Sequence, residues 1–473
     1  MMRAMPRPKV SRLSSLYWLM LIVAVAIFGI IRWYGETLPA PAPVAVAHPH
    51  VTSGASLLQH TLLALTVVIL VARLLGRVFG RIQQPAVIGE VVAGIALGPS
   101  LLGRVAPHLS SYLLPPEVAP SLALIANVGI ILYMFIVGLE LDLRALRQLG
   151  PATVAISHAS ITLPFTLGAG LALWLYPSYC TKGVPFTVFA LFIGVSMSVT
   201  AFPVLARILK DRGIQTSRLG VMALTCAAAN DVTAWCLLAL VVAVATAAVG
   251  SAVLTAVLAV VFIVLMVFVA RPYVERLVEK PALRRPPGQS VLAMICVALL
   301  LCALTTEAIG IHAIFGAFLL GAIIPPDSAI ARDVTHRLED LVIVLFLPAF
   351  FAFSGMRTEI GLVSGAGQWL ACGVVVVVAS LGKFGGSALA GRITGLSWRD
   401  AGALGTLMNT RGLMELIVLN IGLDLGVISP PLFAIFVIMA LATTAATTPV
   451  LHLITRGDVS LRSVHPAEVV SGT

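Results

Sequence analysis

Thr225-Cys226-Ala227-Ala228-Ala229-Asn230-Asp231-Val232-Thr233-Ala234-Trp235 is the stretch on which the reading of this chain turns. It lies inside an apolar run, residues 219–245. A run of roughly 20 residues or more crosses a bilayer as one helix. Asp231 falls near its middle. A charged side chain at that depth costs about 2.5–3.5 kcal/mol on insertion scales, so such a carboxylate usually has a task or a partner. Asn230 beside it offers a carbonyl acceptor and an amide donor. One reading is a protonated aspartic acid that only ties helices together. The reading we favour is a site for a small cation or a proton.

The rest of the chain suits a bilayer. Of 473 residues, 59% are hydrophobic and only 11% charged, against about 25% charged in an ordinary soluble domain. The fold class is therefore all-α, a polytopic membrane protein; the apolar runs are too long and too weakly alternating for barrel strands. The six cysteines are scattered, with no Cys-x-x-Cys pair, and read as small core residues. A net charge of +10 is expected to reflect cytoplasmic Lys and Arg, not nucleic-acid binding. No nucleotide-binding loop is present. We expect no cofactor and no enzymatic activity, only a flux driven by an ion gradient.

Residues 1–56 comprise a basic N-terminus, an apolar run (16–33) and a Pro/Ala-rich linker. The run reads as an uncleaved extra span or as a signal segment; its distance from a cleavage-like Ala45-Val46-Ala47 favours the span. Thirteen further spans are expected at about 57–75, 85–102, 121–140, 151–176, 186–209, 219–245, 251–270, 290–305, 311–324, 341–356, 369–390, 401–423 and 431–453. They form one transporter domain over 57–455, followed by a short tail, 456–473. With the N-terminus inside, 24 of the 30 Lys and Arg fall on the cytoplasmic side. Arg32, Arg104, Lys182 and Arg357 fall outside, and Lys383 and Arg411 within spans. That bias places the C-terminus in the cytoplasm.

An internal repeat is visible at an offset of seven spans. The second span carries Gly89 and Gly94 and closes on Pro99; the ninth carries Gly316 and Gly321 and closes on Pro325. The third ends Val137-Gly138-Leu139-Glu140, the tenth Ser354-Gly355-Met356-Arg357. An odd offset inverts the second copy, as in many secondary transporters. Repeat 1 would cover 57–245 and repeat 2 would cover 290–453, with 251–270 linking them.

The fifth and twelfth spans are the weak ones. Pro203 follows Ser196-Met197-Ser198-Val199-Thr200 and predicts a break near Thr200. The twelfth reads Asn409-Thr410-Arg411-Gly412-Leu413-Met414-Glu415. Paired discontinuous helices at the midplane mark a transport site. Ser198, Thr200 and freed carbonyls are candidate ligands beside Asn230 and Asp231. Arg411 and Glu415 are expected to offset the half-helix dipoles or to pair with each other. Lys383 lies deep in the eleventh span, and a pairing with Asp231 is expected. Glu140 and Arg357 end repeat-related spans on opposite sides and read as gating or dipole-capping charges. His158 reads as a hydrogen-bonded core histidine.

The segments 85–100, Gly138-Leu139-Glu140, 196–205, 229–235, 354–358, 382–386 and 409–420 resemble, in order, the monovalent cation:proton antiporter-2 superfamily, with the plant cation/proton exchangers and their bacterial relatives most similar. The resemblance implies a six-helix core with crossed broken helices beside a dimerisation panel. It implies that Asn230 and Asp231 form the ion-binding pair, that Lys383 pairs with the aspartate, and that the chain is a homodimer in a bacterial inner membrane. Arg357 departs from the plant pattern, which resembles Ser-Gly-x-Lys-Thr. The expected function is exchange of Na⁺ or K⁺ for H⁺, Asp231 holding either ligand in turn. A channel-like efflux pathway on the same fold is the alternative, and an organic-anion symporter a more distant one.

Overall fold

The computed structural model describes residues 10–36, 54–82, 84–141, 150–215, 217–246, 249–278 and 288–455. Among them there is no strand, only one isolated bridge between Cys180 and Ile428. In hydrocarbon no water satisfies backbone N–H and C=O groups, and a helix satisfies them within itself. The linker 37–53 and the tail 456–473 lie outside the described residues.

The principal helices are α1 (Val10–Gly35), α2 (Gly54–Arg81), α3 (Ala86–Leu97), α4 (Ala119–Glu140), α5 (Pro151–Tyr179), α6 (Phe186–Ser198), α7 (Phe202–Asp211), α8 (Arg218–Thr246), α9 (Val249–Leu265), α10 (Gln289–Ile309), α11 (Ala313–Ile323), α12 (Ala329–Leu341), α13 (Leu347–Met356), α14 (Ala366–Ser380), α15 (Gly386–Ile393), α16 (Trp398–Met408), α17 (Leu413–Asp424) and α18 (Pro430–Thr455). Ten helical stretches among the described residues are long and apolar enough to cross a membrane, and shorter apolar helices accompany them. Each expected span carries helix. The stretch 341–356 proves to be the inner part of a longer element that starts at Ala329 with an amphipathic segment holding Asp333, Arg337 and Glu339. The short ninth span, α11, is buried along most of its length.

Three elements pass through a π turn without stopping: Met266–Ala270, Val342–Phe346 and Leu381–Gly385. The last joins α14 to α15 and contains Lys383. Such wide turns often sit at functional positions.

Glycines set the closest approaches. A Cβ on Gly94 would overlap the Ala352 backbone of α13, and one on Gly355 would meet Val91 and Gly94 of α3. A Cβ on Gly138 would meet Phe318 and Gly321 of α11, and one on Gly321 would meet Phe135 and Leu139 of α4. Gly89 lies against Leu75 of α2, and Gly316 against Cys302 of α10. Small residues let helix backbones touch where no hydrophobic drive separates lipid from side chain. α3 thus packs on α13, and α4 on α11.

α1 is placed on α5 and α6. Phe28 stacks on Phe165 at 5.9 Å, and Gly35 lies against the Phe186 ring. The Thr187 hydroxyl donates to Glu36 at 3.0 Å.

Candidate ion-binding site

The site grows from two helix breaks that face each other. α6 ends at Ser198, and Val199 turns to an extended conformation (φ −68°, ψ 138°) before α7 starts at Phe202. α16 ends at Met408, and the chain passes through Asn409–Gly412 into α17. The breaks hold each other: Ala201 N–H donates to Thr410 O at 3.0 Å, and Thr200 Oγ1 donates to Met408 O at 3.2 Å. Thr444 of α18 clamps the second break. It accepts from Arg411 N–H at 3.0 Å, and its hydroxyl donates to Arg411 O at 2.6 Å.

A broken helix leaves carbonyls without partners and a partial negative charge at its C-terminal end. Two cations answer those of α6. Arg411 donates to Ser196 O at 2.9 Å and to Met197 O at 2.7 Å. Lys383 Nζ donates to Ser198 O at 2.5 Å and to Ser160 O of α5 at 3.0 Å. Arg411 also donates to Glu415 at 2.8 Å, and Glu415 lies in the first turn of α17, where a carboxylate complements the positive helix end. Lys383, Arg411 and Glu415 are each 0% exposed. Arg411 and Glu415 thus pair with each other, and each lies at the end of a broken helix.

The Lys383–Asp231 ion pair is a correction. Among the described residues Lys383 pairs with carbonyls, and no ion pair joins it to Asp231; the two act on each other only through space. The reason is local. Gly382 and Gly386 lie against Pro164 and Ala159 of α5, which brings the π turn close enough for Nζ to reach the α5 and α6 backbones.

Asn230 is the hub of the polar cluster. Its amide lies 2.8 Å from Ser157 Oγ, 2.7 Å from Ser160 Oγ and 3.3 Å from Thr200 Oγ1. The orientation that satisfies both amide atoms turns the oxygen to Lys383 Nζ at 3.3 Å and the NH₂ to Ser157 O at 3.0 Å. Ser198 spends its hydroxyl on Gly194 O and Ile161 O, so its contribution to the cluster is its carbonyl. Asp231 is the next residue, about 100° further round α8. It is 3% exposed, and Oδ1 has no hydrogen-bond partner among the described residues. One turn on, Trp235 packs edge-on against Phe315 of α11 at 5.5 Å.

Two cavities lie toward opposite ends of α4, and neither is lined by Asn230 or Asp231. The larger, about 810 Å³, is lined by Arg73, Arg77, Glu90, Glu140 and Glu339, and reaches Tyr133, which lies within electrostatic range of Asp231. The other, about 520 Å³ and at the opposite end, is lined by Asn127, His312, Arg357 and Asp424. There Arg357 donates to Asp424 at 2.6 Å and to Asn420 at 3.1 Å, and Asn420 donates to Ser354. Glu140 and Arg357 are thus not part of the central cluster; each lines a different cavity.

Residues 64–456 match the family model of the transmembrane sodium/hydrogen exchanger. The chain belongs to the sodium/hydrogen exchanger family. It is 45% identical over 385 residues to the Na(+)/H(+) antiporter NhaS4 of Synechocystis, covering 81% of this chain and 94% of that one. It is 40% identical over 431 residues to cation/H(+) antiporter 17 of Arabidopsis thaliana, covering 89% of this chain and 52% of the relative. With the K(+)/H(+) antiporter 1 of Saccharomyces cerevisiae it shares 35% over 397 residues, 82% of this chain and 45% of the relative. It therefore spans about half the length of the plant and yeast proteins. The solved structure of the sodium proton antiporter MjNhaP1 from Methanocaldococcus jannaschii has the same fold, with a TM-score of 0.57 at 14% identity, covering 84% of this chain and 96% of that one.

Sequence reading of this exchanger-family chain missed Ser157 and Ser160, and also Thr444, Asn420 and Asp424. The serine pair does leave a signal, two hydroxyls at helical spacing in an apolar span. His158 Nδ1 contacts Val154 O at 2.9 Å, as a hydrogen-bonded histidine within its own helix.

Proposed function

We propose that this chain is a secondary antiporter that exchanges a monovalent cation, Na⁺ or K⁺, for protons. Asp231 is the shared site. The observation that carries this reading is a buried carboxylate, Asp231, whose Oδ1 lacks a partner among the described residues, beside an amide and hydroxyl cluster at two apposed helix breaks. A proton and a hard cation need the same oxygens, so binding of one excludes the other. Asn230 and Thr200 supply neutral oxygens, and freed carbonyls such as Ser198 O complete a shell when Lys383 withdraws. Lys383 and Arg411 neutralise the α6 end, and Glu415 balances Arg411. The site selects by competition, and alternating exposure of one site turns competition into exchange.

The two cavities fit the remaining proposals. The Arg73 and Arg77 end is the cytoplasmic one by its basic residues, so the larger cavity is the inner access route, with Glu140 at its wall. Arg357 and Asp424 close the outer route. The paired glycine contacts are those an inverted repeat requires: Gly94 with Gly355 corresponds to Gly321 with Gly138, and Gly89 on α2 to Gly316 on α10. α2, α10 and the stretch 257–278 bury little of their surface within one chain, which suits a homodimer panel and contact with lipid. The locale is a bacterial inner membrane, with the C-terminus in the cytoplasm. Names of the relatives, antiporters of Na⁺/H⁺, K⁺/H⁺ and unspecified cations, agree with this reading.

Proteoliposomes carrying a pH dye test it. Added Na⁺, K⁺ or Li⁺ should drive proton movement that reverses when the cation gradient reverses. Cation flux that continues with no accompanying proton flux would identify a channel and reject exchange.

A further inference from the structure

A crevice of about 470 Å³ lies at the Arg357 end of the molecule, outside the proposed ion path. One wall is the end of α3, with Val92, Ile95 and Ala96; the other is the segment 360–364 that leads to α14. That segment is fixed in place. Ser100 Oγ donates to Thr358 O at 2.8 Å and accepts from Ile360 N–H at 2.9 Å. Gly361 has no side chain, and the Arg104 guanidinium occupies the space a Cβ would need. Arg104 is thereby laid along the segment and lines the crevice together with Trp369.

Arg104 stands out among the arginines of this end. Arg32 pairs with Glu36 at 2.9 Å and Arg357 with Asp424 at 2.6 Å. Arg104 has no carboxylate and no hydrogen-bond acceptor among the described residues. Around it, Leu101, Val105, Trp369 and Leu370 are all more than half exposed. An apolar surface of this kind faces acyl chains, and a Trp beside an Arg at a span end marks headgroup depth.

We propose that this crevice seats the phosphate of an anionic phospholipid, with Arg104 as its counter-charge. The guanidinium offers a planar pair of N–H donors to phosphate oxygens. Basic pockets between membrane helices take anionic headgroups by the same chemistry. Trp369 sits at headgroup level, and one acyl chain runs over Leu101 and Val105. The lipid bridges the end of α3 to the start of α14 and holds the two together.

The test uses the full chain in nanodiscs of phosphatidylcholine, with and without phosphatidylglycerol. Phosphatidylglycerol should raise the thermal midpoint by several degrees, each variant being compared with its own phosphatidylcholine baseline. Arg104→Lys should keep most of that shift and Arg104→Gln should lose it, while Lys182→Gln keeps it. Brominated phosphatidylglycerol should quench Trp369 more than brominated phosphatidylcholine does, the Trp369 share being the difference between wild type and Trp369→Phe. An undiminished shift in Arg104→Gln, no shift in wild type, or equal quenching by the two lipids would overturn the proposal. A shift reproduced by inorganic phosphate alone would assign the crevice to a soluble anion and reject the lipid.

Discussion

Lys383 carries more structural duty than its position in the sequence suggested. A lysine in an apolar run calls for an opposite charge, and Asp231 is the partner that removes the cost of two isolated charges. The fold instead gives Nζ the carbonyls of Ser160 and Ser198. Helix breaks create such acceptors, and a sequence shows the break without showing which side chain reaches it. Lys383→Gln should therefore lower the thermal midpoint, because it leaves Ser198 O without its charge-assisted bond, worth about 1.5–3 kcal/mol. If the lysine also carries a proton in the cycle, the number of protons per cation should fall in the same variant, and the membrane potential should matter less. A variant matching wild type in both would show that Lys383 neither caps nor titrates. Competition at Asp231 gives a second expectation with a definite sign. Where the carboxyl is mostly protonated, the cation's apparent half-saturation should rise about tenfold for each unit the pH falls. A half-saturation that stayed level with pH would argue that proton and cation occupy different groups.

Among the elements, the two broken helices were legible because Pro203 and the Asn409–Gly412 run violate helix chemistry in plain view. Their mutual locking was not, since it depends on Thr444, a residue with no distinguishing context in its own span. Arg411 and Glu415 stand a helical turn apart, and their pairing could be read from spacing alone; the capping of α6 by Arg411 could not. Removing one member of a buried pair leaves the other charge uncompensated, at about 3–5 kcal/mol. Glu415→Gln should accordingly lower thermal stability far more than Asp424→Asn, whose ion pair is half-exposed. Equal losses would mean that the Arg411–Glu415 pair holds nothing together. The glycine contacts permit a similar comparison. Gly321→Val pushes a branched side chain into Phe135 O and Leu139 and should cost at least about 1–3 kcal/mol. The same change at Gly367, where a Cβ meets nothing, should be tolerated.

At the scale of the whole molecule, composition alone points to a helical membrane protein, and the glycine motifs are the basis of the proposed inverted repeat. The place of α1 was beyond reach, because a helix apolar all round shows no preferred face in sequence; Gly35 and Phe28 decide it only once α5 and α6 exist. A buried carboxylate at two apposed helix breaks is the physical core of the proposed cycle, and everything depends on that carboxylate titrating. Asp231→Asn preserves size and hydrogen-bonding capacity while removing the charge. In proteoliposomes with a pH dye, a sodium or potassium gradient should drive proton movement in wild type, and none in Asp231→Asn inserted at the same level. Exchange at the wild-type rate in that variant would contradict the account.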